Sequence, residues 1–134
     1  FTTGITGTGR EARAVGTMEV LLLANAEQGV YSYANKDQYE ERVRYRLCDP
    51  AADPAAAAAE RVALDAWRVL GCCDGGRVDL RCDAAERPQF LEVNPLAGLN
   101  PDHSDLPILA RLAGVGYREL IGRILASARR RLKL

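Results

Sequence analysis

Glu92 and Asn94 stand two residues apart in the stretch FLEVNPLAG, residues 90 to 98, an apolar run that ends at Pro95 and Gly98. Residues two apart in an extended strand share a face. A carboxylate and an amide oxygen would therefore project side by side from a segment otherwise suited to burial. Burying such groups without partners is costly, so they either cap something locally or bind something. The preceding stretch GRVDLRCD, residues 76 to 83, alternates in the same way, with Arg77 and Asp79 on one face and Val78 and Leu80 on the other. A short connection makes these two strands natural antiparallel partners. If their polar faces coincide, Arg77, Asp79, Glu92 and Asn94 converge. That set offers hard oxygen donors without sulfur or imidazole, which suits Mg²⁺ or Mn²⁺. Adjacent carboxylates repel one another unless a cation lies between them. The same residues also fit a cross-strand Arg–carboxylate pair, with Asn94 opening the following loop. Spacing alone leaves both readings open.

The elements that must carry these residues follow from pattern. Residues 1–7 and 14–23 read as strands rich in Thr, Val, Ile and Leu. Between them GTGREA, residues 7 to 12, formally matches a dinucleotide-binding glycine pattern. That pattern requires a following helix, and here a strand follows, so turn glycines of a hairpin are the better reading. Residues 24–42 form a polar, tyrosine-rich connection that a ligand could order, and residues 43–47 resemble a half-exposed strand. In DPAAAAAERVALDAWRVLG, Asp53 is the expected N-cap, Pro54 the first helical residue and Gly71 the stop. Val62, Ala66, Val69 and Leu70 supply the expected apolar stripe. Ser104 or Asp105 starts a helix ending near Gly114. A last helix carries Tyr117, Leu120, Ile121, Ile124, Leu125 and Ala128 on one face. Strands in hairpins followed by helices predict an α+β fold, an antiparallel β-sheet with packed helices.

The totals bound the function. At 134 residues, with 48% hydrophobic and 27% charged residues, the chain fits a single domain or part of one. Eighteen basic and eighteen acidic residues cancel, which argues against nucleic acid or an anionic membrane as partner. The basic run Arg129, Arg130, Arg131 and Lys133 suits a solvated helix C-terminus. No apolar run approaches the ~20 residues of a membrane span. Cys48, Cys72, Cys73 and Cys82 lack paired C-x-x-C spacing, as expected of reduced thiols in a cytoplasmic protein. The start at Phe1, without methionine or a leader pattern, is read as a boundary inside a longer protein. His103, the only histidine, sits in a loop and is read as positional.

The segment from Gly76 through "YRELIGRIL", preceded by the opening hairpin and the alanine-rich helix, resembles the C-terminal part of D-alanine–D-alanine ligases, in the ATP-grasp superfamily. R-x-D at Arg77 and Asp79, and E-x-N followed four residues later by Gly98, carry the resemblance most strongly. It implies that residues 1–134 are a single partial domain, the C-terminal half of an ATP-grasp fold. The N-terminal substrate domain and the first half of the grasp would lie elsewhere in the same chain. It further implies that Asp79, Glu92 and Asn94 hold two Mg²⁺ (or Mn²⁺) ions on the phosphates of ATP. By the same resemblance Arg77 and the Gly98 N–H stabilise the reacting carboxyl oxygen, and Lys36 lies near the γ-phosphate. Leu91 packs on the adenine, and Ser104 binds the carboxylate of the second amino acid. For Ser104 a plain N-cap is the competing reading.

The activity so implied is ATP-dependent joining of two D-alanines through an acyl phosphate, for peptidoglycan precursor synthesis. The isolated fragment would be inactive. An ATP-grasp ligase for another acid and amine, and a non-catalytic nucleotide- or metal-binding interaction domain, are the alternatives. Detached from its remainder, the fragment would expose packing surface, making a homodimer possible. In three places the chain departs from the ligase pattern. The loop from Gly98 to Ser104 is one residue longer, Asp37 follows Lys36 where a tyrosine is usual, and Asp105 follows Ser104 where the ligases carry an apolar residue. All three surround the amino-acid pockets, and Asp105 suggests a second substrate with a cationic or polar group.

Overall fold

A computed structural model of the chain describes residues 1–22 and 43–134. The described residues form, in chain order, strands β1 (Thr2–Thr6), β2 (Arg13–Leu22) and β3 (Val43–Cys48), helix α1 (Pro54–Val69), strands β4 (Gly75–Cys82) and β5 (Pro88–Asn94), and helices α2 (Asp105–Leu112) and α3 (Tyr117–Leu132). The strands form one sheet in the order β3-β2-β1-β4-β5, and every neighbouring pair is antiparallel. The α+β expectation holds. The glycines of GTGREA do turn a hairpin: β1 pairs with β2, and a short 3-10 turn at Gly9–Glu11 joins them.

Helix α1 begins as its sequence dictates. The Asp53 carboxylate accepts the backbone N–H groups of Ala55 and Ala56 at 3.0 and 3.1 Å, donors that the first turn of a helix otherwise leaves unpaired. It ends at Gly71 in the left-handed region (φ +68°), with Gly71 N–H bonded to Arg68 C=O and Cys72 N–H to Trp67 C=O. The buried stripe is only partly the expected one: Val62 does pack against the core, but smaller residues lead it. Ala56, Ala59, Ala63 and Trp67 are buried, while Val69 is 86% and Leu70 56% exposed. Small side chains let the helix lie close to the sheet, and the single large ring of Trp67 fills what remains, packed with Ile5, Val78 and Leu80. The indole N–H of Trp67 donates to the Gly7 carbonyl at 3.1 Å, so its one polar atom is satisfied.

A second core, containing Val15, Leu106, Ala110, Val115 and Leu120, joins α2 and α3 to the sheet. Gly4, paired with Arg77 across β1 and β4, is what lets α2 approach: a Cβ there would stand 2.9 Å from side-chain carbons of both Leu106 and Leu109. The apolar face of α3 is narrower than expected. Leu120 and Ser127 are buried, while Tyr117 and Leu125 are 44% and 58% exposed.

Ser127 is drawn inward by a polar link that the sequence does not announce. Its hydroxyl lies 2.9 Å from Asp74 Oδ1, the Thr8 hydroxyl reaches the same oxygen at 3.3 Å, and Arg131 pairs with Oδ2 at 2.6 Å. Arg130 also binds Glu11 at 2.9 Å. The basic run is therefore partly docked rather than merely solvated. Among the described residues no helix is long and apolar enough to cross a membrane, and all four cysteines are free thiols.

Arg131 first, then the hydroxyls of Ser127 and Thr8, hold the Asp74 carboxyl below its ordinary value against the opposing effect of burial. Because the folded value is depressed, this stabilisation is fully present above the ordinary carboxylate value of 3.8 and is lost as pH falls through the depressed one. Asp74→Asn, which tolerates the same positive φ, is expected to lower the melting temperature by about 4 °C at pH 7. Thermal scans should show the difference closing in strong acid; a difference independent of pH would contradict this assignment.

Candidate active site

The register of β4 and β5 decides where the polar groups go. Arg77 is paired with Asn94, Val78 with Val93 and Asp79 with Glu92. Residues directly opposite in antiparallel strands share a face, so Arg77, Asp79, Glu92 and Asn94 do converge, as expected. Past Asp79 the register shifts and Leu80 pairs with Phe90, so the irregularity absorbs Leu91. Beneath, on the other face, Val78 and Leu80 are buried at 0% and 3% exposure.

Exposure rises steadily across the cluster. The side chain of Arg77 is 6% exposed, that of Asp79 16% and that of Glu92 66%. Arg77 Nη2 lies 3.4 Å from Asp79 Oδ2 and 4.0 Å from Glu92 Oε1, both longer than a tight charge-assisted hydrogen bond. The other oxygen of Asp79 accepts from the Thr2 hydroxyl at 2.8 Å, from the residue opposite it in β1. Arg77 Nε is buried with no hydrogen-bond partner among the described residues.

The closest partner of Arg77 is one that the sequence reading assigned elsewhere. Arg77 Nη1 forms an ion pair with Asp105 Oδ2, and both side chains are almost wholly buried. Asp105 opens helix α2, and its Oδ1 accepts from the Tyr45 hydroxyl at 3.0 Å. This corrects the expectation that Asp105 faces a cationic second substrate: its carboxylate already serves a guanidinium and a phenol. The sequence shows no sign of Tyr45 at the site and suggests the wrong partner for Asp105, because they come from β3 and α2, far apart in sequence. The sole signal was an acid where the resembling family has an apolar residue.

Gly98 and Ser104 meet at the end of the loop after β5. A Cβ on Gly98 would stand 2.6 Å from Ser104 Oγ, so only glycine lets the hydroxyl lie against this stretch of backbone. Ser104 occupies the N-cap position of α2 without making a side-chain cap. Its Oγ instead accepts the Asn100 N–H at 3.1 Å, and the Asn100 side chain accepts from the N–H groups of Asp102 and His103 at 2.9 and 3.1 Å. The loop from Gly98 to Ser104 is thus closed on itself, and His103 takes part through its backbone. A serine hydroxyl that accepts through one lone pair keeps its proton to donate. Leu91 is 58% exposed on β5 next to Glu92. Lys36 lies outside the described residues, as does the connection of residues 24–42.

Chemically, one guanidinium is surrounded by the carboxylates of Asp79, Glu92 and Asp105, leaving an excess of negative charge. No three His, Cys, Asp or Glu side chains form a metal cluster among the described residues. Two carboxylates with the amide of Asn94 nevertheless constitute an all-oxygen donor set, open on the Glu92 side. That fits a hard dication which retains positions for water and phosphate. Burial raises the thiols of Cys48, Cys72 and Cys82, the opposite of what activates a cysteine nucleophile.

The chain is similar over nearly its whole length to known proteins. The family model described as D-ala D-ala ligase C-terminus matches residues 2–126. A D-alanine–D-alanine ligase of Bordetella avium is 38% identical over 99% of this chain, which spans 40% of that relative's length. One from Bordetella petrii is 37% identical over 96% of the chain and 37% of its own length. The chain thus spans about 40% of the curated relatives it matches. Among solved structures, the D-alanine–D-alanine ligase from Bacillus anthracis complexed with ATP shares the fold, with a TM-score of 0.72 at 23% identity over 98% of this chain and 40% of that one.

Arg77 touches carboxylates from three separate elements, a task for a planar fork rather than a point charge. Arg77→Lys is expected to destabilise the protein by about 2 kcal/mol, since it leaves buried Asp105 poorly paired. Urea unfolding tests this, and an unchanged midpoint would show that the network contributes nothing to the fold.

Proposed function

This chain belongs to the D-ala D-ala ligase C-terminus family, and from that premise we propose that it is the carboxy-terminal part of an ATP-dependent carboxylate–amine ligase joining two D-alanines for cell-wall precursor synthesis. The observation that carries the reading is the convergence of Arg77, Asp79, Glu92 and Asn94 on one face. The loop bearing Gly98 and Ser104 follows directly. Residues 1–134 supply half of the ATP-grasp. The rest of the same chain supplies the first substrate's site and the cover over the phosphates. Exposed Phe90, Leu91 and Leu96 give that remainder, or a second copy, an apolar surface to meet.

In this reaction the carboxylate of the first D-alanine attacks the γ-phosphorus of ATP, releasing ADP and forming an acyl phosphate. The amine of the second D-alanine then adds to the acyl carbon, loses a proton, and the tetrahedral oxyanion collapses with loss of inorganic phosphate. Asp79, Glu92 and Asn94 would hold Mg²⁺, which when bound neutralises and orients the phosphates. Arg77 and the Gly98 N–H would be the donors that stabilise the oxyanion, a role in which one donor is typically worth ~10²–10³ in turnover. The Ser104 hydroxyl, with its proton free, accommodates the second substrate's carboxylate at the N-terminus of α2, where the helix dipole favours an anion. Leu91 offers an apolar surface to the adenine, and Lys36 a cation to the γ-phosphate. The chemistry needs no histidine base and no covalent nucleophile.

The longer, self-closed loop before Ser104 favours a second reading, a ligase of this type whose second substrate is not D-alanine.

Phosphate release by the full-length protein, screened over D-amino acids and D-hydroxy acids, tests the proposal and separates the two readings. D-alanine-dependent release is expected, and Glu92→Gln should reduce it by about 10²-fold or more, the scale of losing a group that stabilises transition-state charge. Native-like turnover in a folded Glu92→Gln protein would remove Glu92 from the reaction.

A further inference from the structure

Arg77 poses a problem for any cation at this site. A guanidinium beside two carboxylates competes with a dication for the same oxygens, and bidentate Arg–carboxylate pairing is among the strongest interactions available to a side chain. Arg77 nevertheless stands 3.4 Å from Asp79 and 4.0 Å from Glu92, and neither approach is tight. What holds it back is on the other side. Nη1 is engaged by Asp105, whose position is fixed by the Tyr45 hydroxyl at 3.0 Å and by the seating of α2 over Gly4.

We propose that Asp105, braced by Tyr45, is a positioning residue that draws the Arg77 guanidinium off Asp79 and Glu92 and so keeps those carboxylates available to a divalent cation. The inference rests on the ligase reading and deepens it. The buried pair does more than satisfy two charges, since its geometry decides which acids remain free. An apolar residue at position 105 would leave Arg77, among the described carboxylates, Asp79 and Glu92 as its ion-pair partners. Asp105 is therefore coupled to the cation site without touching the cation. Tyr45 is coupled at one further remove.

The test is divalent-cation affinity rather than turnover. Mn²⁺ is titrated into the full-length protein with saturating ADP, and bound Mn²⁺ is read from water-proton relaxation; native, Asp105→Asn and Tyr45→Phe proteins are compared after circular dichroism has established folding. Asp105→Asn is expected to weaken Mn²⁺ binding by about 10- to 100-fold, the usual consequence of losing a group that orients a metal's surroundings. Tyr45→Phe retains every charge and is expected to weaken it roughly threefold, as loss of one hydrogen bond would. Native-like Mn²⁺ affinity in Tyr45→Phe overturns the proposal whatever Asp105→Asn does, because a purely Coulombic contribution of Asp105 would survive that change. Should Asp105→Asn fail to fold, Tyr45→Phe decides alone. A native protein that binds no Mn²⁺ would instead defeat the ligase reading on which the inference stands.

Discussion

The antiparallel register between β4 and β5 is the constraint from which the site follows. A slip of one residue would turn Glu92 and Asn94 to the opposite face from Arg77 and Asp79, and no convergent set would exist. The register is fixed on both sides of the sheet. Below, Val78 and Leu80 are locked into the core with Trp67 and Ile5, so β4 cannot rotate without exposing them. Above, Arg77 is anchored to Asp105 and Asp79 to Thr2. Two polar residues on β4 thus tie it to α2 and to β1, and β5 lies along it with its edge open.

Taking charge out of water at such a site is costly, and a buried ion pair is not by itself a stabilising device. The alanine face of α1 and the leucines of α2 supply the apolar burial that supports it. Small residues recur wherever closeness matters: Ala56, Ala59 and Ala63 under α1, Gly4 under α2, and Gly98 against Ser104. The architecture spends its large apolar side chains sparingly, and positions polar groups by bringing backbones near one another.

Much of this was legible in the sequence. The hairpin at GTGREA, the capped helix from Asp53 to Gly71, and the shared face of Arg77, Asp79, Glu92 and Asn94 each arise from local rules and are found. The apolar start of FLEVN, however, is exposed, and its alternation is broken by the register shift at Leu91. The errors share one cause, tertiary contacts that local patterns do not encode. The stripe of α1 was misjudged because Val69 and Leu70 looked more apolar than the alanines, yet closeness to the sheet selected small residues. Ser104 reads as an N-cap from its place before α2, yet it makes no side-chain cap and its Oγ accepts the Asn100 N–H. Asp105 was assigned to a substrate because nothing in its neighbourhood named Arg77 as its partner. Tyr45, Asp74 and Ser127 were invisible for the same reason, since their partners lie roughly fifty or more residues away.

Anomalous scattering from crystals of the full-length protein grown with Mn²⁺ and ADP would test the central claim most directly. The account predicts a manganese peak within coordination distance of the Asp79 and Glu92 carboxylates and the Asn94 amide oxygen, with Arg77 still turned toward Asp105. A peak elsewhere, or Arg77 closed onto Asp79 and Glu92 with no metal between them, would contradict it.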